Sequence, residues 1–425
     1  MSAEGTKPPV KITYSTMSGD RLDEMHKSID EAIPKVQAAF GQTHPLWING
    51  HAVKTVETFA DTSPSDTRIL LGRFARGTQG HVKDAINAAR AAFPAWSRTP
   101  WQERARVLRR VADVIRENRW ELAVLMGFEA GKNRLECLGD VEESADLIAY
   151  YCDQMEHNDG FTKPMNTLGP EEENVSVLRP YGVWAVISPF NFPLALAAGP
   201  AGGALVAGNT VVFKPASDTP YLGLRLAEIM NEAGIPHGVF NFVTGGGSTV
   251  GQELIENPGV DGVVFTGSRD VGLSLVKNDA VRPIPRPLII ETGGKNPAIV
   301  MPSADLDRAS DGVYRSAFGN QGQKCSACSR LYVHRSVRKT LVEMLVEKAA
   351  KITIGNPLDR SVYMGPVINQ GAVETYLRAI EQAKRDGGRI LCGGRRLTGE
   401  PYEHGFFVEP TVIDGLPKDH ALFFE

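Results

Sequence analysis

Long apolar runs, cysteine, basic surplus and the familiar phosphate-binding signatures are all scarce or missing in this chain of 425 residues. No stretch reaches the roughly 18 apolar residues that a bilayer-spanning helix needs. The longest candidate, from Pro193 to Val206, is interrupted by Gly199, Pro200, Gly202 and Gly203 and reads as a tightly packed interior helix. Lys and Arg total 46 against 50 Asp and Glu, a net charge of −4. That balance offers no electrostatic footprint for nucleic acid or for an anionic membrane. The five cysteines, Cys137, Cys152, Cys325, Cys328 and Cys392, are too few and too uneven to frame a disulfide scaffold. A reducing compartment, the cytoplasm, is the expected setting. The opening segment MSAEGTKPPVKITYS has no apolar core and is not a secretory signal. Neither G-x-G-x-x-G nor G-x-x-x-x-G-K-[ST] occurs.

What is there is a regular alternation. A helical pattern spans Leu22 to Phe40, and Pro45–Gly50 reads as a short strand and turn. Thr99-Pro100-Trp101-Gln102 has the form of a helix start, with Thr99 as cap and Pro100 in the first turn. Val107, Leu108, Val111, Val114 and Ile115 then recur at helical spacing, which puts Arg104, Arg109, Arg110 and Arg116 outside. Residues 157–180 turn polar, with Gly, Pro and the acidic run Glu171–Glu173, and read as a linker or an excursion of strands.

From Tyr181 onward, strand-like runs at 183–187, 210–213, 239–243, 263–266 and 288–291 are separated by helical patterns at 193–206, 220–233, 249–256 and from Ser268. This order predicts βαβ units and a parallel sheet covered on both faces. A second α/β region follows, with helices at 304–318 and 337–352 around a strand at 331–334.

Open parallel sheets bind ligands at the carboxyl ends of their strands. The chemically informative residues lie at those ends. They are Ser188-Pro-Phe-Asn191, Lys214-Pro-Ala-Ser217, Thr244-Gly-Gly-Gly247-Ser-Thr-Val-Gly251, Phe265-Thr-Gly-Ser268 and Glu291-Thr-Gly-Gly294-Lys295. Five such turns in register point to an extended ligand such as a dinucleotide. Ser248 and Ser268 open helices whose free N–H groups favour phosphate, although each also serves as an ordinary cap. The segment Gly319-Asn-Gln-Gly322-Gln-Lys324-Cys325-Ser326-Ala-Cys328 places a cysteine after a Gly/Gln turn and beside a lysine, a route to a reactive thiolate. Cys325-x-x-Cys328 has no second Cys/His pair to complete a zinc site. A plain buried thiol is the reading for Cys328.

Taken together and in order, Phe190-Asn191-Phe192-Pro193, Lys214-Pro-Ala-Ser, Phe265-Thr-Gly-Ser, Glu291-Thr-Gly-Gly-Lys and Gly322-Gln-Lys-Cys325 resemble the NAD(P)-dependent aldehyde dehydrogenase superfamily, from about Pro45 to the last residue. Within it, Gly-Gln-Lys-Cys-Ser-Ala-Cys-Ser-Arg and the lead-in Gln42-Thr-His-Pro-Leu-Trp-Ile-Asn-Gly50 are similar to 1-pyrroline-5-carboxylate dehydrogenases. Those enzymes oxidise L-glutamate γ-semialdehyde to glutamate in proline degradation. The resemblance implies an α/β fold with a parallel-sheet cofactor domain (1–156 and 181–290), a small strand-built oligomerisation element (157–180) and an α/β catalytic domain (291–425). It also implies NAD or NADP as cofactor, a small aldehyde as substrate, no metal, and a homo-oligomer where the C-terminal segment is complete.

The resemblance assigns roles residue by residue. Cys325 matches the nucleophile, Glu291 the general base and Asn191 the oxyanion donor. Ser188, Pro189, Phe190, Lys214, Ser217, Gly247, Thr266, Gly267 and Ser268 match cofactor contacts: Lys214 at the adenosine ribose, Ser268 at the pyrophosphate, Thr266 and Gly267 beside the nicotinamide. Lys324 and Ser326 flank the nucleophile near the substrate. Asp140 matches an acidic position at the substrate entrance, with a solvated helix face as its plainer reading.

The chain departs from the family at two points. Ser217 stands where a carboxylate is usual, so a 2′-phosphate is not repelled and strict NAD preference is not expected. The family pattern also continues past Leu422-Phe-Phe-Glu425 with a ribose-holding Glu, a substrate-carboxylate loop and a final strand. A chain that stops at Glu425 is therefore expected to be weakly active. Two other classes make different demands on the sequence. A hydrolytic cysteine enzyme needs a His partner, for which His334 is the nearest in sequence. A non-catalytic relative should have lost Cys325, Glu291 or Asn191, and none is lost.

Overall fold

Helix α1 (Asp20–Gln37) leads into strands β1 (Gln42–His44), β2 (Leu46–Ile48), β3 (His51–Val53), β4 (Thr58–Ser63) and β5 (Asp66–Ala75). The computed structural model describes residues 16–424; the opening segment, with the signal reading made on it, and Glu425 lie outside the described residues. Between β2 and β3, Asn49 and Gly50 both take positive φ (54° and 72°), the left-handed pair that a two-residue hairpin turn demands. A Cβ on Gly50 would also meet the His237 ring at 2.4 Å, so only glycine fits there.

Four helices follow: α2 (Gln79–Trp96), α3 (Trp101–Glu117), α4 (Arg119–Ala130) and α5 (Arg134–His157). The helix start at 99–102 differs in detail from expectation. Thr99 donates its hydroxyl backward to Ala95 O (3.2 Å), and Pro100 occupies the cap position of α3 with no side-chain cap. Arg104 does not face solvent. It is 6% exposed and donates to Val206 O (2.9 Å) and Thr99 O. Helical periodicity placed it outside, but two orphan carbonyls at neighbouring helix ends draw a guanidinium inward.

Residues 157–180 form an exposed two-stranded ribbon, β6 (Thr162–Pro164) against β7 (Val175–Val177). The regular part then alternates β8 (Val183–Ile187), α6 (Ala195–Val206), β9 (Thr210–Lys214), α7 (Pro220–Glu232), β10 (Phe240–Phe242), a π-turn (Gly247–Gly251), α8 (Gln252–Glu256), β11 (Gly262–Thr266), α9 (Arg269–Ala280) and β12 (Leu288–Glu291). These strands are parallel in the order β12-β11-β8-β9-β10, and β2 and β3 extend the sheet antiparallel beyond β10. The strand and turn expected at 45–50 are present as β2 and its turn; their place in this sheet and the return strand β3 are additions, because a lone Leu-Trp-Ile carries no sign of its distant partner. Alternate residues feed opposite cores. Trp184, Val186, Val211 and Phe213 join one cluster with α5, α6 and α7, while Val183, Ala185, Ile187 and Val212 join another with α2. This is why the central strands read as continuous apolar runs.

The chain places β9 and β10 on one side of β8, then returns to place β11 and β12 on the other. The order therefore reverses between β8 and β11, where the crevice at the carboxyl ends opens. The remaining α/β part holds β13 (Asn296–Val300), α10 (Leu306–Phe318), β14 (Cys328–Val333), α11 (Arg338–Ala350), α12 (Gln370–Arg385), β15 (Arg389–Cys392) and β16 (Val412–Asp414). No described helix is long and apolar enough to cross a membrane.

One buried pair of acids has a measurable consequence. The Glu129 carboxylate accepts from the backbone N–H groups of Tyr221 and Leu222 (3.0 Å to the latter), in the first turn of α7, and Asp61 of β4 lies against it. Burial pushes both acids up, with mutual repulsion adding to it for Asp61, and Glu129 reaches about 8. An acid raised above its unfolded value of roughly 4.3 weakens the fold as pH rises through that interval. Stability should therefore fall from pH 6 to pH 8, and Glu129→Gln should flatten the slope. Urea midpoints at the two pH values measure it, and an equal slope in both proteins would refute the assignment.

Candidate active site

The turn that carries Cys325 is conformationally expensive. Asn320, Gln321 and Gly322 take φ of 48°, 57° and 72° in succession. A left-handed non-glycine residue costs about 1–2 kcal/mol, so two in a row persist only where surroundings hold them. They are held. Asn320 N donates to Glu136 Oε1 at 2.8 Å, Asn320 Nδ2 to Asn191 O at 3.2 Å, and Gln321 Nε2 to Gly131 O at 3.3 Å. Ile368 N donates to Gln323 Oε1 at 3.1 Å. Asn191 Nδ2 donates to Gln323 O at 2.8 Å, which brings the proposed oxyanion donor onto the cysteine turn.

The Glu291-Thr-Gly-Gly-Lys segment closes on the same turn. A Cβ on Gly294 would lie 2.9 Å from the Cys325 carbonyl, so the close approach requires glycine. Asn296 Nδ2 donates to that carbonyl at 2.6 Å. Cys325 itself is exposed. The other four thiols are pushed up by burial, Cys152 to about 11.

Glu291 ends β12 in register with Thr266 at the end of β11, and Gly267 N donates to Glu291 O at 3.1 Å. Glu291 is exposed beside them. Ile187 aligns with Lys214 and with Phe265, so the turns after β8, β9 and β11 share one edge. Lys214 is buried, donates to Pro215 O at 2.8 Å, and is pushed down to about 8 by desolvation. Ser217 is exposed, and its hydroxyl reaches Gly245 O at 3.5 Å. Ser268 caps α9, and Gly247 opens the π-turn with nothing near its missing side chain. Pro189 is buried and Phe190 half-buried. Ser188 is buried, and its Oγ has no partner among the described residues. A buried hydroxyl without a partner, a buried cation and two segment starts on one edge fit an extended anionic ligand.

The acidic side chain that reaches the cysteine turn is Glu136, not Asp140. Glu136 Oε1 lies 3.3 Å from Lys324 Nζ, and its Oε2 is buried with no partner among the described residues. Asp140, one helical turn further along α5, is neither on a solvated face nor at an entrance. Its Oδ2 pairs with Lys132 Nζ at 2.8 Å and its Oδ1 accepts from Ala195 N at 2.8 Å, both inside the protein. Helical spacing puts Glu136 and Asp140 on one stripe, and that stripe faces inward along its whole length.

A family model described as the aldehyde dehydrogenase family matches residues 47–425. The chain belongs to the aldehyde dehydrogenase family. A 1-pyrroline-5-carboxylate dehydrogenase of Geobacillus sp. is 39% identical over 409 residues, 95% of this chain and 78% of that protein. One from Bacillus subtilis is 39% identical over 404 residues, covering 94% and 77%. The solved Thermus 1-pyrroline-5-carboxylate dehydrogenase with bound NAD superposes with a TM-score of 0.92 at 34% identity, covering 99% of this chain and 81% of that one. A 3,6-anhydro-L-galactose dehydrogenase in complex with NADP gives 0.85 at 34% identity, covering 90% and 79%.

For an aldehyde dehydrogenase, the cysteine turn and the Asn191 turn lean on residues that the sequence did not single out. Lys132, Glu136, Asn296 and Asn320 are separated by up to 188 positions. Asn320 alone stood inside a recognised motif. His334, the histidine nearest to Cys325 in sequence, bonds its own neighbour Ser336 (2.9 Å). Lys324 is turned toward Glu136, and Ser326 is exposed beyond the thiol.

Exposure and the raised neighbours order the thiols chemically. Iodoacetamide should label Cys325 at least tenfold faster than Cys137 or Cys392, read by peptide mass spectrometry. Prior labelling of either of those would remove Cys325 as the nucleophile.

Proposed function

We propose that this aldehyde dehydrogenase oxidises L-glutamate γ-semialdehyde to L-glutamate with NAD or NADP as hydride acceptor. The observation that carries the reading is the convergence of three loops. The Glu291 segment packs on the Cys325 carbonyl through Gly294, and Asn191 bonds the residue two before the cysteine. The Geobacillus and B. subtilis relatives named as 1-pyrroline-5-carboxylate dehydrogenases support the choice of substrate.

In this mechanism the Cys325 thiolate attacks the aldehyde carbon. The oxyanion that develops is held by the Asn191 amide and the Cys325 backbone N–H, donors fixed before the charge appears. A nicotinamide held beside Thr266 and Gly267 would supply the hydride acceptor; the thiohemiacetal on Cys325, having given up the hydride and its hydroxyl proton, is then a thioester. Glu291 deprotonates a water, which hydrolyses the thioester and frees the thiol. Lys214, Ser217, Ser188, Gly247 and Ser268 hold the cofactor, with Thr266 and Gly267 beside the nicotinamide end.

The substrate carries an ammonium and a carboxylate beyond its aldehyde. We assign the carboxylate to Lys324, with Ser326 beside it, and the ammonium to Glu136, a reading supported by its buried Oε2 without a partner among the described residues. On this reading 1–156 and 181–290 form the cofactor domain and 291–425 the catalytic domain. The exposed ribbon at 157–180 assembles a homo-oligomer, and the enzyme works in the cytoplasm. Apolar Val175, Val177 and Leu178, exposed on and beside that ribbon, support the assembly role.

Glu291→Gln tests the base directly. Hydride transfer should survive as a burst of reduced cofactor, followed by turnover slowed by roughly 10²–10⁴. Normal cofactor binding with no burst would place Glu291 in another role. Ser217 sets the cofactor choice. Wild-type protein should turn over with both NAD and NADP, and Ser217→Glu should lower kcat/KM for NADP by about tenfold or more while changing NAD less than about threefold. Equal losses would mean that Ser217 does not face the adenosine ribose.

A further inference from the structure

Lys132 and Asp140 form the most deeply buried ion pair near the site, with side chains 1% and 0% exposed. The mechanism above uses neither. Both reach the same short stretch, the turn from Asn191 to Ala195 between β8 and α6. Lys132 Nζ donates to the Asn191 backbone carbonyl at 3.0 Å and lies 3.9 Å from the Phe192 ring centroid. Asp140 Oδ1 accepts from Ala195 N, at the first position of α6, where a helix N–H has no partner of its own. Asn320 Nδ2 donates to the same Asn191 carbonyl from the cysteine turn.

We propose that Lys132 and Asp140 are positioning residues that clamp the oxyanion-donor turn at both ends and so aim the Asn191 amide at Cys325. The proposal rests on the reading of Asn191 as that donor. The physical argument is one of substitution. A buried ion pair is costly to desolvate, and well-packed apolar residues of similar volume often serve stability as well or better. Apolar residues cannot hold a carbonyl at one end of a turn and an N–H at the other. The pair does both, and each of its oxygens and its ammonium is engaged with the other or with the turn. Misaiming a preorganised donor slows the chemical step more than it weakens cofactor binding.

The test separates stability from aim. Lys132→Met alone strands a buried carboxylate and should cost much of the folded yield. Lys132→Met with Asp140→Leu removes both charges. Asp140→Asn, read alongside, keeps the shape and loosens the grip on Lys132. Rapid-mixing bursts with pyrroline-5-carboxylate and NAD give the rate of hydride transfer. NAD affinity and the iodoacetamide labelling rate of Cys325 report on the rest of the site. The expected result is a burst about tenfold or more slower in the double variant and about threefold slower in Asp140→Asn, with NAD affinity and labelling within about twofold of wild type. A wild-type burst rate in either folded variant overturns the clamp. So does a parallel fall of all three readouts, which would make the pair a general prop. A wild-type protein that forms no reduced cofactor from pyrroline-5-carboxylate, or forms it equally well without Cys325, overturns the functional reading itself, and the clamp with it.

Discussion

The site depends on strand register. Because β8 aligns Ile187 with both Lys214 and Phe265, and β11 aligns Thr266 with Glu291, the chain leaves four parallel strands at one level. A slip of one residue would turn Lys214 and Glu291 to opposite faces and send half of each core to the wrong side. The two apolar clusters that flank the sheet fix the register by claiming alternate residues. The chemistry at the carboxyl edge is thus set by packing below it.

The second constraint is the turn before Cys325. Asn320, Gln321 and Gly322 stay left-handed because contacts from β8, α5 and the region before α12 converge on them. Each contact is a hydrogen bond from or to a buried group, where an unmade bond costs about 1–3 kcal/mol. The strain is therefore offset by the same interactions that locate Asn191, Glu136 and Gln323 around the thiol.

Most of the element order was legible because it rests on local pattern. Continuous apolar runs between helical periods gave the five parallel strands within a residue or two, and Pro45–Gly50 showed its strand and turn but not the return strand that makes it a hairpin. The reading failed where a buried polar group answers a distant partner. Arg104 serves carbonyls at the end of α6 and in the link before its own helix, and Asp140 answers Lys132 and the start of α6. Periodicity treats any charged residue as a vote for solvent, so it misplaced both. The contact of Glu136 with Lys324 spans 188 positions and has no local signature. The motif residues fared differently. Gly294 and Gln323 were visible as motif members, but the reason for them, a carbonyl 2.9 Å from an absent Cβ and an amide bonded across to Ile368, exists only in the folded chain.

Lys214 adds a thermodynamic consequence. Desolvation holds its ammonium down at about 8, with only Asp218 pulling the other way. Around that pH part of the population carries a neutral amine. An anionic group placed against it favours the charged form, so binding draws a fraction of a proton from solution. The heat of binding then contains the ionisation heat of whichever buffer gave up that proton, and affinity weakens as the medium becomes more alkaline. On the proposed placement of the cofactor's adenosine ribose at Lys214, a phosphate would draw more than a ribose hydroxyl, and the two nicotinamide cofactors would differ in proton stoichiometry as well as in fit.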